Sequence, residues 1–321
     1  MALSPNKTKI IFFSSDHHTW PVLRYLAQNV NYDVLLITKN EKPIGRNQVM
    51  SANNLALEAD KNNISTVAVS SIDQELNNKI ADFQPAIIFV YSFGLIFPTW
   101  FITTYGDKTI NIHPSDLPKY RGSSPLQAAL LKGDKKTAVS FIKLANDVDA
   151  GDVLCKYPLI IQSTDQYLTL SQSVNQSIIQ QIDNFINQYL NHKLTASTQG
   201  LVGLSKTRKI NKQNGLIDWQ LAAVAIFNKW RAYYYWPEIY TYWQNSKLIL
   251  KEIALATDQN QIAHIGQIYQ SANKQICVQC GVGSIIILQI QLAGKKQMPI
   301  ELFINGQRTF IDSSLANPFS Q

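Results

Sequence analysis

An asparagine and a histidine two residues apart, Asn111 and His113 in the run NIHPSDLPKYRGSSP, form the densest chemical signal in the chain. Residues 109–112 read as a strand that breaks into loop at Pro114. Both side chains therefore project from the same side of a strand end. A neutral amide beside an imidazole can hold a carbonyl oxygen and stabilise the charge that develops on it. A carboxylate follows 36 residues after His113, where LANDVDAGDVL sets Asp147, Asp149 and Asp152 around Gly151. Asp149 completes a set suited to acyl transfer onto an amine, taking the proton that the attacking nitrogen loses. No activated serine or cysteine nucleophile stands out, so direct transfer is favoured over a covalent acyl-enzyme. The plainer account makes His113 structural and the acids turn formers.

Other chemistry-bearing residues lead less far. Asp16, His17 and His18 follow the first strand-like run and could ligate a metal, but no Asp-rich motif at later strand ends supports them. They are expected to line a cleft or sit on the surface, and no metal is expected. Cys155, Cys277 and Cys280 are too few for a disulfide framework, and the Cys-x-x-Cys pair has no second ligand pair. The turn SSDHHTWP holds no glycine, and neither a Gly-x-Gly-x-x-Gly turn nor a Walker-type Gly-Lys-Ser/Thr occurs. A dehydrogenase and an ATPase are both disfavoured.

The elements that must position these residues alternate through the first half. Strand-like runs cover 9–13, 32–38, 64–69, 86–90, 109–112 and 139–144. Helical patterns occupy 21–27 and a stretch starting near 71–73, and a long one capped by Asp165 runs toward Tyr189. Such alternation implies βαβ units and a doubly wound, mostly parallel sheet, with ligands beyond the carboxyl ends of its strands. The polar, increasingly basic stretch 191–207 reads as a linker. Beyond it one helix at 221–234 precedes short strand-like runs at 239–242, 248–250, 266–269, 276–279 and 285–289, a smaller β-barrel of OB type. The expected division is a catalytic domain at 1–190, a linker at 191–207 and a β-barrel domain at 208–316.

Composition narrows the class. Of 321 residues, 45% are apolar and 16% charged, which excludes a disordered or fibrous chain. The net charge of +7 is lopsided: residues 1–202 carry +1 and residues 203–321 carry +6. A nearly neutral first part joined to a basic second part suggests chemistry in one and polyanion contact in the other. No apolar run approaches the ~20 residues of a bilayer-spanning helix, and the first residues do not read as a secretory signal. A soluble cytoplasmic protein without membrane contact is expected.

Together these motifs resemble the methionyl-tRNA formyltransferase family of the folate-dependent formyltransferase superfamily. Its core, Asn-x-His-x-Ser-x-Leu-Pro-x-x-Arg-Gly-x-x-Pro-x-Gln, is met by Asn111, His113, Ser115, Leu117, Pro118, Arg121, Gly122, Pro125 and Gln127, and its Asp-x-Gly by Asp149 and Gly151. The resemblance implies a Rossmann-like catalytic domain in which Asn111, His113 and Asp149 are catalytic and 10-formyltetrahydrofolate is the co-substrate. Folate contacts are then expected at Ser115, Asp116, Leu117, Pro118, Phe93, Gly94, Leu95, Ile96 and Asp147. Lys42-Pro43-Ile44-Gly45-Arg46 resembles the family's Lys-Pro-x-Gly-Arg loop, and RAYYYWPEIYTY and IQLAGKKQM resemble two stretches of its second domain. The aromatic stretch is expected mainly to pack in the core. Contacts to the acceptor and its tRNA are expected at Lys42, Arg46, His18, Lys206, Arg208, Lys209, Lys295 and Lys296.

The first loop departs from the family's Gly-Thr-Pro-x-Phe-Ala, reading Ser14-Ser15-Asp16-His17-His18-Thr19, and Asp116 stands where the family usually has Leu. The resemblance implies formyl transfer to initiator methionyl-tRNA by a monomer. The alternatives are formylation of an amino sugar nucleotide and a catalytically silent tRNA-binding relative.

Overall fold

The computed structural model describes residues 7–40, 42–44, 49–51, 53–257 and 263–315. Four apolar residues in a row end β1 (Thr8–Phe13), and all four are buried, as a strand covered on both faces requires. The chain continues through α1 (Trp20–Gln28), β2 (Tyr32–Lys39), the short strands β3 (Lys42–Ile44) and β4 (Val49–Ser51), α2 (Asn54–Lys61) and β5 (Ser65–Val69). Then come α3 (Gln74–Phe83), β6 (Ile87–Val90), α4 (Thr99–Tyr105), β7 (Thr109–His113), α5 (Pro125–Lys132), β8 (Lys136–Lys143), β9 (Val153–Ile160) and α6 (Tyr167–Leu190). Asp73 caps α3 by accepting the Leu76 N–H at 3.1 Å. Asp165 instead closes the turn ahead of α6, accepting from the Gln162 N–H at 2.7 Å and the Thr169 hydroxyl at 3.0 Å.

Seven of these strands form one sheet in the order β5-β2-β1-β6-β7-β8-β9. Pairings from β5 through β7 are parallel, whereas β8 and β9 join antiparallel. The sheet is thus mostly parallel, with helices between its strands. From β1 the chain first builds outward through β2 and β5, then returns to lay β6 and β7 on the other side. The carboxyl ends of β1 and β6 therefore flank the point where strand order reverses, the usual crevice of such sheets. Beneath it Phe13 meets Phe93, Phe97 and Phe101 edge-on, with centroids 5.0, 5.3 and 5.8 Å away. Contacts of this kind contribute about 0.5–1.5 kcal/mol each beyond area burial, and they anchor the loop after β6.

The later part holds α7 (Ala223–Tyr233), then β10 (Tyr240–Trp243), β11 (Ser246–Leu255), β12 (Ile268–Gln270), β13 (Ile276–Gln279), β14 (Ser284–Leu292), β15 (Met298–Pro299) and α8 (Ile300–Gly306). The strands pair antiparallel in the order β10-β11-β14-β13-β12, with β15 added to β14, giving a half-barrel. Its centre is marked by Trp219, fully buried, whose indole N–H donates to the Thr241 hydroxyl at 3.1 Å. Cys277 and Cys280 are both buried at the end of β13, and burial pushes the Cys280 thiol up to about 12.

The chain divides into two compact units. One comprises Met1–Pro125, Lys136–Ile160 and Ser171–Arg208, and the other Leu126–Lys135, Ile161–Leu170 and Lys209–Gln321. Two short segments of the first half thus sort with the half-barrel. Residues 191–207, which read as a linker, fold within the first unit: Ser197 bridges Val153, and Lys206 bridges Arg121. Among the described residues, no helix is long and apolar enough to cross a membrane.

Candidate active site

Asn111 and His113 end β7, in register with Ile142 and Ser140 of β8. The two-residue spacing brings both side chains to one carboxylate. Asn111 Nδ2 donates to Asp149 Oδ1 at 2.8 Å, and His113 Nδ1 lies 3.5 Å from Asp149 Oδ2. A third partner comes from the loop after β7, where the Gly122 N–H donates to Oδ2 at 2.7 Å. The imidazole is nearly buried, with 6% of its side chain exposed, and the carboxylate 11%. The other ring nitrogen of His113, Nε2, lies 3.0 Å from the Tyr120 carbonyl. A carbonyl can only accept, so Nε2 carries a proton and the ring is pinned from both ends.

The backbone beneath this cluster is unusual where it has to be. Asp149 adopts φ 53°, uncommon for a residue with a side chain, which turns its carboxylate back toward β7. Gly122, at φ 108°, could not carry a side chain: a Cβ there would fall 2.7 Å from the Thr207 carbonyl. Gly151 is as confined, because its Cβ would come within 1.8 Å of the Lys143 carbonyl.

Sequence reasoning missed what holds these turns together. Gln199 donates through Nε2 to the carbonyls of Asp149 and Gly151, at 2.8 Å each, and its Oε1 accepts from Arg121 Nε at 3.0 Å. Ser205 accepts the Tyr120 N–H at 2.9 Å through its hydroxyl and the Arg121 N–H at 2.9 Å through its carbonyl, and the Thr207 N–H returns to the Arg121 carbonyl at 2.7 Å. Each such bond is worth about 1 kcal/mol net. The stretch 199–207 therefore works as a brace across the Asp149 and Tyr120–Gly122 turns. Its mixture of glycines, polar residues and short aliphatics is what a flexible connection also shows, so nothing in the sequence distinguishes the two.

The comparisons with known proteins fit this arrangement. The formyl transferase family model matches residues 8–182, and the model of the formyl transferase C-terminal domain matches 209–308. The chain belongs to the formyl transferase family. Among curated relatives, the methionyl-tRNA formyltransferase of Geobacter sulfurreducens is 29% identical over 94% of this chain and 94% of its own length. Among solved structures, the methionyl-tRNA formyltransferase from Clostridium thermocellum superposes with a TM-score of 0.56 at 16% identity, covering 87% of this chain and 99% of that one. The sugar 3N-formyl transferase WlaRD, solved with dTDP and 5-N-formyl-THF, superposes with a TM-score of 0.61 at 19% identity, covering 91% and 99%. Both neighbours share the formyl transferase fold.

Within this formyl transferase the residues expected at the folate site fall into two groups. Ser115, Leu117 and Phe93 are buried: the Ser115 hydroxyl donates to the Lys119 carbonyl at 2.6 Å, and Phe93 belongs to the aromatic cluster under β6. The side chains of these three face the interior. Asp116, Gly94, Ile96 and Asp147 are exposed, and Leu95 and Pro118 partly so. Asp116 pairs with Lys156 at 2.8 Å, which also donates to the Leu117 carbonyl.

Of the residues expected near the acceptor and its tRNA, His18 ends the loop after β1, with 17% of its side chain exposed. Lys206, Arg208 and Lys209 are exposed in the stretch 206–209, and Lys295 and Lys296 are exposed in the turn between β14 and β15. Lys42 lies in β3, whereas Gly45 and Arg46 fall outside the described residues. The aromatic stretch is split rather than uniformly packed. Tyr233 and Tyr240 are buried, but Tyr234, Tyr235 and Trp236 are exposed.

Proposed function

We propose that the chain transfers a formyl group from 10-formyltetrahydrofolate to the α-amine of initiator methionyl-tRNA, as a cytoplasmic monomer serving translation initiation. The observation that carries the reading is the convergence of Asn111, His113 and Gly122 on the Asp149 carboxylate. Curated relatives named methionyl-tRNA formyltransferase, matched along nearly their whole length, support the acceptor. A neighbour solved with tetrahydrofolic acid supports the donor.

In this mechanism the acceptor nitrogen attacks the formyl carbon, whose oxygen takes up negative charge. The Asn111 amide has two N–H groups, and the one not given to Asp149 serves that oxygen. With the Nε2 proton committed to Tyr120, Nδ1 of the neutral ring carries only a lone pair, so it becomes a donor to the formyl oxygen when it receives, through Asp149, the proton lost by the attacking nitrogen. Asp149 accepts the proton leaving the attacking nitrogen, directly or through water. The bond from the formyl carbon to the folate nitrogen then breaks, and that nitrogen regains a proton. The proposed division of labour has the unit of residues 1–125, 136–160 and 171–208 doing this chemistry, with 199–207 bracing its turns rather than serving as a linker, and the half-barrel unit holding the tRNA. Lys42, Arg46, His18, Lys206, Arg208, Lys209, Lys295 and Lys296 would contact acceptor and phosphates, so tRNA affinity is expected to fall steeply with salt.

A second acceptor class, an amino sugar nucleotide, is favoured by the polar loop Asp16–His18. The test is transfer of labelled formyl from 10-formyltetrahydrofolate to charged initiator tRNA, with uncharged tRNA and an amino sugar nucleotide in parallel. Label on methionyl-tRNA alone is expected. Label on the sugar assigns the second acceptor, and no label anywhere refutes formyl transfer to either.

A further inference from the structure

The crevice where strand order reverses, between the carboxyl ends of β1 and β6, holds polar groups that the Asn111–His113–Asp149 set does not use. The loops leaving the two strands are tied together by the Ser15 N–H, which donates to the Ser92 carbonyl at 3.1 Å. Ser92 itself is exposed and held at φ 55°, two residues past the end of a buried parallel strand. Ser92 is followed by loop up to α4, and its hydroxyl faces the loop that leaves β1. His18 Nε2 lies 3.3 Å from that hydroxyl, and His18 Nδ1 lies 2.9 Å from Asp16 Oδ1.

Long-range interactions fix the histidine in this position. Its ring packs edge-on against Tyr91, with centroids 5.4 Å apart, and its carbonyl accepts from Asn175 Nδ2 at 2.6 Å. Asn175, itself buried, also accepts the Tyr91 hydroxyl at 3.0 Å, so one side chain sets both the ring and the surface it rests on. Gly94 is two residues beyond Ser92, and a Cβ there would come within 3.0 Å of Lys39 Nζ. Burial pushes the Asp16 carboxyl up, but the hydrogen bond and charge of His18 outweigh it, and the group stays below its ordinary value.

We propose that Ser92 is a second nucleophile in this protein, served by His18 as general base and by Asp16 as positioning residue, and that it accepts small activated acyl groups such as formyl or acetyl esters. Asp16 Oδ1, 2.9 Å from His18 Nδ1 but without hydrogen-bond geometry, acts through its charge, and Nε2 takes the Ser92 proton as Oγ bonds to the acyl carbon. The acyl oxygen takes up the negative charge. The bond to the leaving oxygen breaks, and His18 returns its proton to that oxygen. Water repeats the sequence at the acyl-serine, releasing the carboxylic acid and restoring Ser92. The net reaction is ester plus water giving acid plus alcohol, with no other reactant. It does not depend on which amine accepts formyl at Asn111 and His113.

The experiment uses the full chain, diisopropyl fluorophosphate as label and p-nitrophenyl acetate as substrate. Peptide mapping is expected to place one adduct on Ser92, and the ester to give a burst of about one phenol per chain. Ser92→Ala is expected to lose both. His18→Gly should slow labelling by roughly 100-fold or more, with partial recovery on adding imidazole, which a folding defect would not give. Asp16 also caps its own turn by accepting the His18 N–H at 3.2 Å. Asp16→Asn keeps an oxygen for that cap but removes the charge, and should slow labelling by about 10-fold. The proposal is overturned by an adduct on another residue, by no adduct and no burst, or by a burst that survives Ser92→Ala.

Discussion

Asp149 and Asp16 each set a carboxylate beside an imidazole at the carboxyl edge of the same sheet, 3.5 Å from His113 Nδ1 in one case and 2.9 Å from His18 Nδ1 in the other. Their surroundings differ. The Asp149 side chain is 11% exposed and receives N–H groups from Asn111 and Gly122, while its backbone is held by Gln199 from a distant segment. The Asp16 side chain is 57% exposed, and its carboxylate accepts from the His18 N–H of its own loop at 3.2 Å. A carboxylate held from three segments of chain keeps its place when charge develops nearby, whereas an exposed one shares its task with water and salt. The first arrangement suits a step that needs fixed geometry. In the second, orientation rests on the histidine, through Asn175 and Tyr91.

That contrast can be broken or sharpened by substitution, and the largest effect is expected at the imidazole. His113→Ala should lower formyl-transfer turnover by about 10³-fold or more, since it removes both the oxygen's partner and the neighbour of Asp149. A steady-state rate assay checks this, and a loss below tenfold would put His113 outside the chemistry.

Next comes the turn itself. Gly151→Ala drives a Cβ to within 1.8 Å of the Lys143 carbonyl, whereas Gly200→Ala meets nothing within 4 Å. Thermal unfolding should show a loss of roughly 2–4 kcal/mol for the first and under about 0.5 kcal/mol for the second. Equal melting of the two variants would mean that the Asp149 turn adapts.

Gln199→Ala is expected to have a smaller effect and a diagnostic one. With Asp149 less firmly held, kcat should fall about 10-fold while the folate KM stays near wild type. An unchanged kcat would show that Asn111 and Gly122 suffice. The smallest effect is expected at the Asp116–Lys156 pair. Lys156→Met removes the partner of the half-exposed Asp116, and denaturant unfolding should register less than about 1 kcal/mol.

The sequence made part of this visible for physical reasons. Asn111 and His113 are legible because a strand end has period two, and Asp149 because an acid followed by Gly151 marks a turn at a strand's end. The parallel sheet is legible from buried apolar runs such as those of β1 and β6. Loops carry no such period. Ser115, Leu117 and Phe93 lie in the expected motifs, yet nothing in their order distinguishes a side chain facing a ligand from one buried behind it. Gln199 was illegible for a further reason: two of its partners are main-chain carbonyls 48 and 50 residues away, which leave no mark on side-chain type, and the third, Arg121, is 78 residues away. Ser92 gave no signal either, because its interest rests on a backbone angle and on a histidine 74 residues distant. Likewise the sorting of 126–135 and 161–170 with the half-barrel depends on packing between segments distant along the chain.

The most direct test of the account is Asp149→Asn, which keeps the size and one oxygen of the side chain but removes the charge beside His113. Turnover with labelled 10-formyltetrahydrofolate and charged initiator tRNA would be measured beside folate binding by calorimetry. The account predicts that turnover falls by about 10³-fold while the folate Kd stays within a few-fold. Turnover at the wild-type rate would contradict it.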